Sequence, residues 1–198
     1  MTIARRPTEN AVLPTYNSQK LMQNLVHIRE RAARGDDEVA FTALLQPILE
    51  PGYRLACAML HDPQAAEDAV QEAALKAWRK LDRLREGAEI RPWFLGIVAN
   101  ECRTTRRSGW WARVSALVGD RPVEVTSDSV LTGVEVRRAL RSLEHRSRLV
   151  LVLRWFLDLP IDEIARVTGL SVHAVESRLA RATRDLRTKL QAMEVGNG

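Results

Sequence analysis

The sequence predicts an all-α protein of two helical domains joined by a flexible linker. Three observations carry that expectation. Apolar residues recur at helical spacing through every long segment, and no segment sustains the alternation of a strand. Between residues 108 and 133 the periodicity stops, and Gly109, Gly119, Pro122, Gly133 and the polar run Thr126-Ser127-Asp128-Ser129 take over. Periodicity resumes at Val134 and continues nearly to the C-terminus.

Taken in order, residues 1–17 carry Pro7 and Pro14 and read as a polar tail. Ser18 is placed to cap a helix over residues 18–34, with Leu21, Leu25 and Ile28 on one side. Gly35-Asp36-Asp37 ends it and opens a helix over 38–49; Pro51-Gly52 is expected to interrupt before a helix over 53–60. His61-Asp62-Pro63 is a stop-and-restart signal, with Asp as cap and Pro in the first turn. The helix over 63–85 carries one apolar stripe, Ala66, Val70, Ala73, Ala77, Leu81 and Leu84, and Gly87 ends it. Residues 91–107 form the next, with Trp93, Ile97 and Val98 inward. A short helix is expected over 111–118, and then helices over 134–145, 146–157, 160–168 and 172–193. The domains follow: an N-terminal extension over 1–24, a helical domain over 25–108, a linker over 109–133 and a second helical domain over 134–198.

Composition bounds the function. With 45% hydrophobic and 28% charged residues the chain reads as a soluble globular protein, and a net charge of +5 favours a polyanionic partner. Cys57 and Cys102 belong to no CxxC pair or Cys/His cluster, so neither zinc nor any other cofactor is expected. As buried free thiols they suit a reducing cytoplasm. The N-terminus has no apolar run of a secretory signal, and no stretch is apolar enough to span a membrane. His27, His61, His145 and His173 are scattered, and no phosphate loop, nucleophile elbow or metal-ligand spacing accompanies them. An enzyme is therefore not expected.

Residues 161–180 fit a DNA-binding helix-turn-helix. Ala165 is small enough for two helices to cross closely, Gly169 supplies the turn, Leu170 plugs the core and Ser171 caps the second helix. Val175 and Leu179 face inward, leaving His173, Glu176, Ser177, Arg178 and Arg181 exposed. Arg178, Arg181, Arg184 and Arg187 form a basic stripe suited to phosphates and base edges. In the first domain, Asp68, Gln71 and Glu72 share one face of the long helix, opposite its alanines, and Trp78 follows two turns after Gln71. The next helix interleaves Trp93 and Phe94 with Asn100, Arg103, Arg106 and Arg107, a mixture that suits single-stranded DNA.

Together these segments resemble the extracytoplasmic-function group of the sigma-70 family. The resemblance rests on Ala40-Phe41 with Leu44; on Asp62-Pro63-Gln64-Ala65-Ala66-Glu67-Asp68-Ala69-Val70-Gln71-Glu72 followed by Ala77-Trp78; on residues 93–100; on Glu163-Ile164-Ala165 and Gly169-Leu170-Ser171; and on Val175-Glu176-Ser177-Arg178-Leu179-Ala180-Arg181-Ala182. It covers residues 35–107 and 134–190. It implies a sigma factor that binds RNA polymerase core and directs promoter recognition and melting. Asp68, Gln71, Glu72 and Trp78 would bind the clamp helices of the largest catalytic subunit, with the flap of the second-largest subunit as a further contact. Trp93, Asn100, Arg103, Arg106 and Arg107 would open and read the −10 element; Ser171, His173, Glu176, Ser177, Arg178, Arg181 and Arg184 would read the −35 element. It also brings in an anti-sigma protein as a candidate partner.

The sequence departs from the family pattern at Thr104, where Asp is frequent, at Glu176, where Lys is frequent, and at Glu144, where Pro is frequent. The competing reading is a helix-turn-helix regulator that is not a polymerase subunit; such a protein has no need of an exposed Asp68, Gln71 and Glu72 face. If residues 109–133 extend at roughly 3.3–3.6 Å each they span about 80–90 Å, enough for promoter elements roughly 70 Å apart. As a coil they average only about 25–30 Å, so the free protein is expected to be compact, with its domains separating on polymerase.

Overall fold

The computed structural model describes residues 35–81, 89–107 and 130–196. Within these the chain forms α1 (Gly35–Leu60), α2 (Pro63–Arg79), α3 (Ile90–Arg107), α4 (Val130–Ser142), α5 (His145–Leu151), α6 (Ile161–Thr168) and α7 (Val172–Gly196), and no strand occurs among the described residues. Helices α1 to α3 pack as one unit and α4 to α7 as a second. The N-terminal extension, the expected helices over 18–34 and 111–118, and Trp110-Trp111 lie outside the described residues.

The first unit is organised by α2. Ala65, Ala66, Ala69, Val70, Ala73, Ala74 and Ala77 are all buried, so its inner face is nearly flat and α1 and α3 can approach closely. Against it lie Leu45, Leu49, Leu55 and Met59 from α1 and Phe94, Leu95 and Val98 from α3. The restart between α1 and α2 is built as its sequence predicts. His61 takes a positive φ of 59°, Asp62 accepts a hydrogen bond from the Ala65 N–H at 2.7 Å, and Pro63 occupies the first turn.

Several boundaries differ from expectation, three of them most. Helix α1 runs unbroken through Pro47 and Pro51. A proline inside a helix costs about 3 kcal/mol, whereas each fully buried large apolar side chain returns about 1.5–3 kcal/mol. Leu45, Ile48, Leu49, Tyr53, Leu55 and Met59 are buried on both sides of the prolines, so the summed burial wins. Helix α2 stops at Arg79, short of residue 85, where the Lys80 N–H closes a tighter turn onto the Ala77 carbonyl at 3.1 Å. Helix α4 starts at Val130, inside the expected linker. Val130, Leu131 and Val134 continue its apolar spacing, and Gly133 costs a helix only about 1 kcal/mol.

In the second unit the core is Leu149, Val150, Leu153, Leu159, Ile164, Val175 and Ala182. Helix α5 leaves through a π turn over Val152–Phe156, closed by Leu157 N–H to the Val152 carbonyl at 3.0 Å. That turn leaves Trp155 68% exposed. Gly169, at φ 68°, lets α6 end in the left-handed conformation that the turn requires, and the Ala174 N–H donates to Ser171 Oγ at 3.2 Å.

The two units pack against each other, α3 lying on α6. A Cβ at Gly96 would sit 3.0 Å from the Val167 carbonyl oxygen, so only glycine permits this approach without displacement. Arg91 Nε lies 3.4 Å from Glu163 Oε1, and Arg166 Nη2 donates to Glu89 Oε2 at 3.2 Å. Arg54 Nη2 donates to the Phe156 carbonyl at 3.4 Å while its guanidinium covers the Phe156 ring.

Candidate functional site

The expected core-binding face lies on the outer side of α2. Asp68 is exposed, and Gln71 and Glu72 are half-buried, away from the alanine core. Glu72 is not a lone carboxylate: Lys76 Nζ sits 3.4 Å from Glu72 Oε1 and 2.6 Å from Glu101 Oε2. Glu101 is the buried partner, and its hydrogen bond raises the Lys76 pKa above the ordinary lysine value. The pair ties α2 to α3 and so fixes the two expected functional helices relative to each other. Trp78 is half-buried, its ring edge-on to Phe41 at 4.9 Å, which makes it as much a packing residue as a surface one.

On α3, Asn100, Arg103, Arg106 and Arg107 are exposed and Trp93 is half-buried, while Phe94 is fully buried. Thr104 donates from Oγ1 to the Asn100 carbonyl at 3.1 Å, turning its hydroxyl back onto the helix. On α7, Ser171, His173, Glu176, Arg181 and Arg184 are exposed and Ser177 and Arg178 are half-buried. Val175 is fully buried beneath them, as a recognition helix seated on α6 requires. Glu176 Oε2 approaches His173 Nδ1 at 3.9 Å, and Arg184 Nε donates to the Ala180 carbonyl at 3.4 Å.

The structure brings together residues that the sequence assigned to separate surfaces. Asn100 and Arg103 from α3 and Arg178 from α7 line one cleft of about 240 Å³ between the units. Asp68, Gln71 and Glu72 do not line it.

Sequence reasoning missed the residue that ties the units. Arg148 is only 2% exposed, and its contacts are to main-chain carbonyls and a histidine. Nε donates to the Leu140 carbonyl at 2.8 Å and Nη2 to the Arg141 and Leu143 carbonyls. Nη1 donates to the Met59 carbonyl at 3.0 Å and faces His61 Nε2 at 3.4 Å, which accepts when Nδ1 holds the ring proton. The five guanidinium hydrogens thus meet five acceptors, most of them carbonyls at the C-terminal ends of α1 and α4, where the helix dipole is negative. Burial, with Arg106 and Arg141 nearby, lowers the Arg148 pKa to about 10, so it stays charged at neutral pH. Burial and then the Arg148 charge lower His61 to about 3; burial and then Arg106 lower His145 to about 4. Both histidines are neutral at pH 7. Burial raises the thiols of Cys57 and Cys102 to about 11 and about 12, leaving them unreactive at that pH. No group of metal-ligating side chains and no helix able to cross a membrane occurs among the described residues.

Comparison with known proteins adds to this geometry. A Sigma-70 region 2 family model matches residues 44–112, and a Sigma-70, region 4 model matches residues 133–186. The chain is 30% identical over 141 residues to the RNA polymerase sigma factor SigV of Bacillus subtilis, spanning 70% of this chain and 83% of that protein. It is 30% identical over 160 residues to the ECF RNA polymerase sigma factor SigM of Mycobacterium tuberculosis, spanning 81% of this chain and 82% of that one. In fold it is similar to the sigma factor RpoE of Bartonella quintana, solved with the anti-sigma factor NepR, with a TM-score of 0.61 and 24% identity over 77% of this chain and 97% of that one.

Proposed function

Because the chain belongs to the extracytoplasmic-function group of the sigma-70 family, and is therefore a sigma factor for promoter recognition by RNA polymerase, we propose how its surfaces divide that work. Residues 25–108 act as region 2 and residues 134–198 as region 4. Asp68, Gln71 and Glu72, with the exposed edge of Trp78, bind the clamp helices of the largest subunit, and region 4 contacts the flap of the second-largest. The observation that carries this is the segregation of α2: its inner face is buried alanine and valine, so Asp68, Gln71 and Glu72 stand on the opposite side, where a partner can reach them.

Trp93, Asn100, Arg103, Arg106 and Arg107 engage the −10 element, where exposed arginines hold the backbone of the melted strand. Ser171, His173, Glu176, Ser177, Arg178, Arg181 and Arg184 engage the −35 element in the major groove. Within this set Arg178 is suited to a guanine edge, Arg181 and Arg184 to phosphates, and Glu176 to cytosine N4 or to orienting Arg178. The chain acts in the cytoplasm and does no chemistry; bond formation belongs to the polymerase. An anti-sigma protein is a further candidate partner, in keeping with the NepR complex of the Bartonella quintana relative.

The deciding experiment is run-off transcription with purified core polymerase, paired with a core pull-down. Asp68→Arg with Glu72→Arg should abolish core binding while circular dichroism stays helical. Asn100→Ala and Arg103→Ala should bind core normally but lower permanganate reactivity of promoter thymines. Unchanged core binding in the first variant, or wild-type reactivity in the second pair, refutes the corresponding assignment.

A further inference from the structure

We propose that the cleft between the two units is an anion site for a phosphate group or short phosphate chain, and that filling it holds region 2 and region 4 in the closed arrangement. The site itself is argued from the cleft; only its consequence, that closure withholds Asn100, Arg103 and Arg178 from promoter DNA, rests on the function proposed above.

The cleft is lined by Asn100 and Arg103 of α3, His145 and Arg146 at the start of α5, Thr168 at the end of α6, and Arg178 of α7. Both units therefore contribute cationic side chains, and no carboxylate lines the cleft. Among the described residues, Arg103, Arg146 and Arg178 form no ion pair. His145 keeps Nδ1 buried and without a hydrogen-bond partner among those residues. Burial first, and then the charges of Arg106, Arg148, Arg103 and Arg146, disfavour its protonation, so arginines of both units surround this part of the seam.

Closing the two units gathers these like charges, which opposes closure unless an anion enters between them. Guanidinium forks from several directions match the oxygens of a phosphate. At about 240 Å³ the cleft is smaller than the roughly 300–1,000 Å³ of sites for drug-sized molecules, which selects a phosphate or short chain over a whole enclosed nucleotide. A ligand held by both units binds only the closed form; by linkage it favours closure, and closure strengthens its binding.

The experiment uses the full chain without polymerase, at matched ionic strength in chloride. Inorganic phosphate, pyrophosphate, tripolyphosphate and a nucleoside diphosphate are titrated by calorimetry, and small-angle scattering follows the maximum dimension. Saturable one-to-one binding of at least one phosphate species, with a smaller maximum dimension when bound, is expected. A preference for pyrophosphate identifies a free phosphate chain as the ligand, and a preference for the nucleoside diphosphate a nucleotide whose base lies outside the cleft. Arg146→Ala, an exposed residue outside the proposed DNA surfaces, should weaken binding about tenfold while leaving core polymerase binding in a phosphate-free pull-down unchanged. Arg146→Glu should supply the missing negative charge, compact the protein without phosphate and remove its response to it. Equal behaviour in chloride and phosphate, or wild-type binding by Arg146→Ala, overturns the site. Failure of wild-type transcription with core polymerase would instead refute the function proposed above and leave the binding result standing.

Discussion

The core of region 2 and the seam between the regions differ in how much charge accompanies their apolar contact. Between α1, α2 and α3 the contacts are alanine, leucine, valine and phenylalanine, with Glu101 the one buried charge among the described residues there. At the seam the apolar cluster continues from one region into the other, but it is joined by Arg148 on carbonyls, Arg54 on the Phe156 carbonyl and ring, Arg91 beside Glu163, Arg166 on Glu89, and glycine against a backbone oxygen. Apolar surface cannot be bared without a large cost, whereas arginines and carbonyls exchange protein partners for water at little net cost. The first interface is therefore part of the fold, and the second, with its larger share of exchangeable polar contacts, is the one expected to give way first.

The largest effect should come from breaking the core. Leu49 is fully buried in α1, and Leu49→Ala should destabilise region 2 by about 2–5 kcal/mol in chemical denaturation. A loss well below that range would mean the core is less tightly packed than its burial indicates. Arg148→Ala should come next, at about 2–3 kcal/mol, because charged hydrogen bonds to four carbonyls, two of them buried, vanish together. Unlike Leu49→Ala it should also speed hydrogen exchange around Met59 and enlarge the protein in solution, since it acts on the seam. A variant as compact as wild type would move the latch elsewhere.

Acid should separate the two interfaces without mutation. His61 and His145 have folded pKa values of about 3 and about 4, below the ordinary 6.5. Each lowered histidine is neutral when folded, so its contribution is complete above pH 6.5 and is lost as pH falls from there toward the folded value. The slope is at most about 1.4 kcal/mol per pH unit for each. The groups facing them are Arg148, Arg141, Arg106 and Arg137 for His61, and Arg106, Arg148, Arg103 and Arg146 for His145, all cationic throughout this window. With both histidines contributing, wild type should lose about 3 kcal/mol between pH 6.5 and 5, with the seam opening first. His61→Asn, which tolerates the positive φ, should flatten the curve; parallel curves would exclude His61 as the group responsible.

The smallest effect is also the most discriminating. Gly96→Ala should strengthen α3 by up to about 1 kcal/mol through helix propensity, yet push its new Cβ to 3.0 Å from the Val167 carbonyl. Region 2 should then unfold later while the regions separate more readily. Paired thermal denaturation and scattering test both signs, and a shift of both in the same direction would contradict the division between core and seam.

What the sequence disclosed follows from how far each signal reaches along the chain. The alanine stripe of α2, the Asp62-Pro63 start and the Gly169 turn with its Ser171 cap are local, and each is present in the structure. The continuity of α1 was not legible, because proline acts within a turn whereas the burial that overrides it involves α2 and α3. Arg148 was not legible either. Its partners are backbone carbonyls that become free acceptors only once α1 and α4 end beside it, and nothing in the string Ser147-Arg148-Leu149 announces that. The meeting of Asn100, Arg103 and Arg178 in one cleft depends on how two separately readable units dock.

Arg148 serves two masters with one side chain. Three of its acceptors, the carbonyls of Leu140, Arg141 and Leu143, belong to its own region, while the Met59 carbonyl and His61 belong to the other. A substitution that loosened the regions through this position would at the same time uncap α4, so selection for a readier or a tighter closure has no neutral route through it. Adjustment is displaced to the rim, where Arg54 and the Arg166 and Glu89 pair are less buried than Arg148. The pivot thus answers to two folds at once, and the contacts that answer to neither lie in a few peripheral charges.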